Sequence, residues 1–126
     1  MNVVITGGPS SEPIDQVRLI TNRSTGELGV ILAEAFGSRG HHVSLFLGRL
    51  SQFRHPRATY FDRNEDLERM LREIKGSEPV SLVLHAAALA DFELMSVRAG
   101  DQDLGQKKIG SEQPLPRVQI HDPRTR

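Results

Sequence analysis

The apolar residues of this chain alternate between short unbroken runs and a helical spacing. Residues 2–6, NVVIT, form a β-branched run that ends at two glycines, which is typical of a buried parallel strand that opens into a turn. Similar runs occur at 42–47, HVSLFL, and 80–88, VSLVLHAAA, with a shorter one at 58–62, ATYFD. Each of these segments is predicted to be a strand of one sheet, and all except 58–62 are expected to be fully buried.

Two segments between these runs have the spacing of helices. The apolar face predicted for the first helix comprises Leu28, Ile31, Leu32, Ala35 and Phe36. Gly37 and Gly40 are predicted to end it. The second segment, 64–76, has acidic residues in its first turn and basic residues in its last, with Asn64 as the predicted N-cap. Strands that alternate with helices predict an α/β fold, a three-layer Rossmann-like parallel sheet with helices on both faces.

The composition changes from Glu93 onward. This part has few large apolar residues and many Gly, Gln, Asp, Lys and Arg residues, so it cannot bury much surface. We therefore expect residues 1–92 to form a Rossmann-like ligand-binding core. Residues 93–126 are expected to form a C-terminal flap or hairpin arm that is partly mobile.

Length and charge exclude several classes of function. A chain of 126 residues is the size of one domain. Its 16 basic residues are balanced by 16 acidic ones, so it does not have the excess of positive charge expected of a protein that binds nucleic acid or a membrane surface. The absence of cysteine excludes a thiolate metal site or a thiol nucleophile. The N-terminus does not resemble a signal peptide and no apolar stretch is long enough to span a membrane, so we expect a cytoplasmic protein.

The five histidines do not have the spacing of metal ligands, so we expect no protein-held metal. His85 lies at the end of the last predicted strand. A histidine at such a position is more often a hydrogen-bonded core residue than a ligand, and that is our interpretation of it.

The loops after the first and fourth strands are the expected ligand site, because ligands of open α/β sheets bind beyond the carboxyl ends of the strands. Gly7 and Gly8 directly follow the first strand, but a long insert separates them from Gly26. This spacing departs from the dinucleotide fingerprint G-x-G-x-x-G. Arg49, after the second strand, is placed to face a 2′-phosphate, so an NADPH-dependent Rossmann-type reductase remains an alternative.

The segment 21–29, TNRSTGELG, brings amide and hydroxyl side chains to the start of the first helix. Ser24 and Glu27 have the spacing of a capping box. Gly26 and Gly29 are predicted to lie in the first turn, where backbone N–H groups can approach an anion. The segment is therefore predicted to hold an anionic ligand.

Three separated motifs extend this interpretation: GGPSSEPIDQVRLITNRSTGELG at 7–29, HAAALADF at 85–92 and KKIGS at 107–111. In their order they resemble the motifs of the phosphopantothenoylcysteine synthetase family, the synthetase domain of the DNA/pantothenate metabolism flavoprotein. The resemblance covers residues 2 to about 121 and corresponds to the N-terminal part of that domain. Since family members continue beyond this part, we expect a portion of the nucleotide site to be missing from this chain.

The resemblance implies a phosphopantothenate–cysteine ligase of coenzyme A biosynthesis, an ATP- or CTP-dependent acid–amino-acid ligase. In such an enzyme the nucleoside triphosphate, bound with Mg²⁺, activates the carboxylate of 4′-phosphopantothenate as an acyl nucleotidylate. The amine of cysteine then displaces the nucleotide. Family likeness also implies a homodimer. The alternative for a short chain is a phosphopantothenate- and nucleotide-binding module without turnover.

The resemblance also implies roles for individual residues. Asn22 and Arg18 match positions that act on the acyl nucleotidylate, and Lys108 matches the lysine required for nucleotidylation. The positions that match substrate and intermediate binding are Gly8, Ser24, Thr25, Gly26, Ala87 and Ala88. The positions that match nucleotide binding are Gly7, Asp91 and Lys108. Taken singly, Asn22 and Ser24 would be read as helix caps, and Arg18 and Lys108 as solvated charges.

Overall fold

The computed structural model describes residues 1–74 and 79–91, and beyond them the backbone of three strands. In chain order the elements are β1 (Asn2–Gly7), β2 (Ser11–Pro13), β3 (Leu19–Thr21), α1 (Glu27–Ser38), β4 (His42–Gly48), β5 (Thr59–Phe61), α2 (Asn64–Arg72), β6 (Val80–His85), β7 (Glu93–Ala99), β8 (Gln102–Asp103) and β9 (Pro116–His121). They fall into two compact units. The first comprises Met1–Ser11 with Asn22–Leu89, and the second Glu12–Thr21 with Ala90–Arg126. The domain boundary expected between residues 92 and 93 stays a prediction.

The first unit contains a parallel four-stranded sheet in the order β5-β4-β1-β6. Its central strand β1 pairs with β4 from Asn2 to Gly7 and with β6 as far as Thr6 opposite His85. In chain order, β4 lies next to β1 and β5 next to β4, whereas β6 lies on the other side of β1. The strand order therefore reverses between β1 and β6, the position where such sheets bind ligands.

The two helices cover opposite faces of this sheet, because successive side chains of a strand point to opposite sides. The cluster under α1 is formed by Val3, Ile5, Ala33, Leu45 and Leu47. The cluster under α2 is formed by Val4, Phe46, Phe61 and Leu67. Full burial of a side chain of this kind contributes roughly 1.5–3 kcal/mol. The three-layer Rossmann-like fold predicted from the sequence is confirmed.

α1 packs on the sheet through a face that only partly matches the predicted one: Leu32 and Phe36 pack against the cluster under α1, as predicted. Leu28 and Ile31 are 57% and 54% exposed, and Ala35 is exposed as well, whereas Gly29 is buried. A Cβ atom on Gly29 would lie 3.1 Å from the Cα of Gly7. The helix thus approaches β1 most closely at two glycines, Gly29 and Gly7, neither of which has a side chain. This contact sets the rotation of α1 about its own axis. Gly29 lies in the first turn of α1, as predicted, and serves this packing; the approach of its N–H to an anion stays a prediction.

The helix ends also differ in part from the sequence prediction. Gly40 follows the C-cap of α1 with a φ of +84°, as predicted, but Gly37 lies within the helix. α2 begins at Asn64, so its N-cap is Arg63 and the prediction of Asn64 is wrong by one residue. The reason is that the carboxylate of Asp66 accepts the N–H of Arg63 at 2.8 Å, which fixes the start of the helix one residue earlier.

β6 is half exposed rather than fully buried as predicted. Leu82 and Leu84 pack against the cluster under α1, but Val83 on the opposite face is 57% exposed. β6 is an edge of this four-stranded sheet. Within the described residues, α2 packs on side chains of the other three strands, so this face of β6 is left open to solvent.

The second unit contains antiparallel pairing among its last strands, in the order β8-β7-β9, with Val97 opposite Val118. β2 and β3 form a separate two-stranded sheet. Apart from these strands, the flap or arm expected at 93–126, including Lys108, lies outside the described residues. Neither helix of the described chain has the length and apolar character needed to cross a membrane.

The contact between Gly29 and Gly7 can be tested by adding a methyl group. Gly29→Ala is expected to lower the free energy of unfolding by on the order of 1 kcal/mol, because overpacking outweighs the better helix propensity of alanine. Gly37→Ala is the matched control in the same helix. A Cβ there would meet nothing within 4 Å, so we expect a gain of about 0.5–1 kcal/mol. Urea unfolding measures both changes, and a gain for Gly29→Ala would contradict the proposed packing.

Candidate functional site

The loops that follow β1 and β6 are joined by main-chain hydrogen bonds at the carboxyl end of the sheet. The N–H of Ala88 donates to the carbonyl oxygen of Gly8 at 2.8 Å, and the N–H of Ser10 donates to the carbonyl oxygen of Ala88 at 3.1 Å. Pro9 and Ala88 form a parallel bridge. The pairing of the two strands therefore continues past their ends, and it fixes Gly8 beside Ala88 as the sequence prediction requires.

Asn22 bonds through its side-chain amide to the loop that follows β6. Nδ2 donates to the carbonyl oxygen of Ala88 at 2.8 Å, and Oδ1 accepts the N–H of Ser24 at 3.0 Å. The structure thus brings together Asn22, Ser24, Gly8 and Ala88, four of the predicted site residues. A primary amide has two N–H donors and two acceptor positions, and these bonds use one of each. Asn22 is exposed and retains the capacity to hydrogen-bond a ligand.

Two glycines of the site have backbone conformations that other residues rarely adopt. Gly8 has a φ of +76° and Gly26 a φ of +81°. Both pack against the buried side chain of Ser51: a Cβ on Gly26 would lie 2.9 Å from its hydroxyl oxygen, and one on Gly8 would overlap it. Ser51 donates a hydrogen bond to the carbonyl oxygen of Gly48 at 2.7 Å. The loop after β4 therefore supports both glycine turns, which no motif in the sequence indicated.

The start of α1 is held differently from the predicted capping box. Gly26 is the N-cap and makes no side-chain cap hydrogen bond. The hydroxyl of Thr25 accepts the N–H of Glu27 at 3.3 Å, while the N–H of Ser24 is engaged by Asn22. The prediction of Ser24 with Glu27 as a capping box is wrong because the turn made by Asn22 places Ser24 two residues before the N-cap.

Thr6 and His85 are register partners at the ends of β1 and β6. The hydroxyl oxygen of Thr6 lies 2.6 Å from Nδ1 of His85 and accepts the N–H of Ala87 at 3.2 Å. Thr6 is completely buried, whereas His85 is exposed. The predicted hydrogen bond of His85 is confirmed, but its assignment to the core is wrong, because among the described residues α2 packs on the other three strands and not on this face of β6.

Arg18 and Asp91 belong to the second unit. There the fully buried carboxylate of Asp15 accepts the N–H groups of Val17 and Arg18, each at 2.8 Å. Its other oxygen lies 3.6 Å from Nε of Arg18. Sequence reasoning did not single out Asp15, although aspartate is a common residue in turns of this kind. The roles of Arg18 and Asp91 stay predictions, as does that of Lys108.

Arg49, the residue on which the reductase alternative depends, is paired with an acid. Its Nε donates to Oδ1 of Asp62 at 2.9 Å. A carboxylate at this position carries the charge opposite to the one that a 2′-phosphate site needs. Within the ranges 1–74 and 79–91, no cluster of three or more His, Asp or Glu residues is arranged to hold a metal ion.

Comparison with known protein sequences identifies a family. Residues 1–115 match the family described as the DNA/pantothenate metabolism flavoprotein C-terminal domain. Over 112 residues the chain is 32% identical to the coenzyme A biosynthesis bifunctional protein CoaBC of Haemophilus influenzae. That alignment covers 89% of this chain and 27% of the relative. The chain thus spans a minor part of the length of this relative.

Solved structures have the same fold. The crystal structure of the DNA/pantothenate metabolism flavoprotein from Streptococcus pneumoniae superposes with a TM-score of 0.76 at 27% identity, over 97% of this chain and 60% of that one. The C-terminal domain of the coenzyme A biosynthesis bifunctional protein CoaBC superposes with a TM-score of 0.63 at 31% identity, over 74% of this chain and 47% of that one.

The role of the Asn22 amide in the loop can be tested by amide hydrogen exchange. In Asn22→Ala the N–H of Ser24 loses its acceptor, so its exchange is expected to rise roughly 2- to 10-fold, the equivalent of one hydrogen bond. The N–H of Ser10, which keeps the carbonyl of Ala88, is expected to exchange at its original rate. Arg23→Ala, at the adjacent exposed position, is the control. Unchanged exchange at Ser24 in Asn22→Ala would contradict the assignment.

Proposed function

We propose a function on the premise that this chain belongs to the DNA/pantothenate metabolism flavoprotein C-terminal domain family. The chain is a phosphopantothenate–cysteine ligase of coenzyme A biosynthesis, or the N-terminal part of such an enzyme. Its relatives bear the name of a coenzyme A biosynthesis protein, which supports this assignment. The observation that carries it is the bond from the Asn22 amide to the carbonyl of Ala88, which joins two of the family motifs at the reversal of strand order.

The chemistry proceeds in two steps. A carboxylate oxygen of 4′-phosphopantothenate attacks the α-phosphorus of the nucleoside triphosphate, and pyrophosphate leaves. The amine of cysteine then attacks the acyl carbon, and the nucleoside monophosphate leaves with the electron pair of the broken C–O bond. Such a sequence needs no nucleophile from the protein. The protein contributes by orienting the reactants and by stabilising the charge that develops on their oxygens.

The described residues suit an acyl nucleotidylate, which is a mixed anhydride of a carboxylate and a phosphate. The remaining N–H of Asn22 can donate to an acyl oxygen, and its remaining acceptor position can receive an N–H of the incoming amine. Ala87 and Ala88 have small side chains that permit close approach of the ligand. Gly8 and Gly26 are buried, so their contribution is the conformation of the main chain.

The remaining roles follow the family motifs. Arg18 and Lys108 neutralise phosphate charge, and Gly7 and Asp91 belong to the nucleotide site. Mg²⁺ arrives with the triphosphate, which is CTP or ATP. We further assign to the chain a cytoplasmic location and a homodimer.

The assignment is tested by incubating the protein with 4′-phosphopantothenate, MgCl₂, cysteine and either CTP or ATP while pyrophosphate is measured. We expect pyrophosphate release that depends on phosphopantothenate, and its loss in Lys108→Gln. Asn22→Asp keeps the size of the side chain but turns a carboxylate towards the carbonyl of Ala88, and we expect formation of the amide product to fall about 10²-fold. Asn64→Asp, at the start of α2, is the matched control and is expected to retain full activity.

The outcomes separate the alternatives. Binding of phosphopantothenate in calorimetry without pyrophosphate release would identify a binding module without turnover. Binding of NADPH without binding of phosphopantothenate would contradict both proposals and favour the reductase. Equal activity of Asn22→Asp and Asn64→Asp would remove Asn22 from the site while leaving the ligase assignment intact.

A further inference from the structure

His85 lies at the reversal of strand order, where the sheet is expected to receive its ligand. It ends β6 and lies two residues before Ala87, the first alanine of the proposed intermediate site. Its neighbour on the same face of β6, Val83, is 57% exposed. The described part of the chain therefore leaves the imidazole accessible from this side.

The ring of His85 is held in place through one nitrogen. Nδ1 lies 2.6 Å from the hydroxyl oxygen of Thr6, and this oxygen also accepts the N–H of Ala87 at 3.2 Å. A hydroxyl oxygen offers two acceptor positions. The completely buried side chain of Thr6 therefore orients the ring in either tautomer. With the hydrogen of the contact on Nδ1, both acceptor positions of Thr6 are used and Nε2 carries a lone pair; with the hydrogen on the hydroxyl, Nε2 carries the ring hydrogen.

A comparison with His55 shows how a structural histidine of this chain is arranged. Nε2 of His55 bonds to Glu34 at 2.9 Å and its Nδ1 accepts the N–H of Arg57 at 3.1 Å, so both ring nitrogens are used by the protein. Within the part of the chain that the structure describes, His85 forms its side-chain hydrogen bond at Nδ1. His85 thus combines a fixed orientation with an exposed ring, the arrangement expected of a proton-transfer residue.

We propose that His85 is a catalytic residue that accepts a proton from the amine of cysteine in the amide-forming step, an inference that rests on the proposed ligase function. The nitrogen lone pair forms the bond to the acyl carbon, and the C–O bond to the phosphate breaks. The nucleoside monophosphate leaves with that electron pair, and the proton of the nitrogen passes to Nε2 of His85. Thr6 is a positioning residue that acts through His85.

The test separates the two half-reactions. The protein is first mixed with 4′-phosphopantothenate, Mg²⁺ and nucleotide, and pyrophosphate is measured; cysteine is then added, and the amide product is measured by rapid quench. In His85→Gln we expect pyrophosphate release within about 2-fold of the original, and amide formation slower by about 10²-fold or more, the range of general base catalysis. The acyl nucleotidylate is expected to accumulate.

Two further variants complete the design. Thr6→Val removes the hydroxyl that holds the ring and is expected to slow amide formation less than His85→Gln does, again without affecting pyrophosphate release. His42→Gln is the matched control, an exposed histidine at the opposite end of the same sheet, and is expected to leave both steps unchanged. Circular dichroism verifies that each variant is folded.

Each outcome decides between the assignments. Amide formation by His85→Gln at the original rate, or an equal loss of both half-reactions, would overturn the role of His85 while leaving the ligase function standing. Absence of pyrophosphate release by the unmodified protein would overturn the proposed function, and this inference with it. The ¹⁵N chemical shifts of the His85 ring test the proton arrangement directly: we expect the hydrogen on Nδ1, and a neutral ring with its hydrogen on Nε2 would contradict the role as a base.

Discussion

The pairing of β1 on both of its edges is the constraint on which the rest of the first unit depends. Because β1 is in register with β4 and with β6, the three strands end at nearly the same level of the sheet. The loops that leave them must therefore share one small volume. Gly8, Ser51 and Ala88, which lie in these three loops, come together for this reason. A slip of any one strand would separate its loop from the other two.

Because these loops meet, the proposed site consists largely of neutral polar groups. The groups that hold it together are mostly neutral: main-chain amides, the amide of Asn22 and the hydroxyls of Thr6 and Ser51. Neutral donors that are already in position stabilise developing negative charge without having to reorganise. Such a site suits a reaction in which the substrates bring the reactive groups and the protein supplies the orientation. His85 adds an ionisable group at the same carboxyl end of the sheet.

Much of the fold could be predicted from the sequence because it depends on local patterns. The β-branched runs identified the parallel strands, and the acidic and basic ends of 64–76 identified the second helix. The family was predicted from the order of three motifs and is confirmed by the match over residues 1–115. One prediction failed because apolar spacing competes with close packing. Leu28 and Ile31 have the spacing of a buried face, but the approach of Gly29 to Gly7 turns them outward.

The sequence by itself determined that the motif residues are polar and small, and that they occur in loops after strands. Only the tertiary structure decided that Asn22 bonds across to Ala88, a residue 66 positions away, since such a contact depends on the strand order. The same holds for Ser51, which no motif marks, and for His85, which the sequence assigned to the core. Whether a face of a strand is covered depends on where a helix packs, and the pattern of residues within the strand does not indicate where the helix will lie.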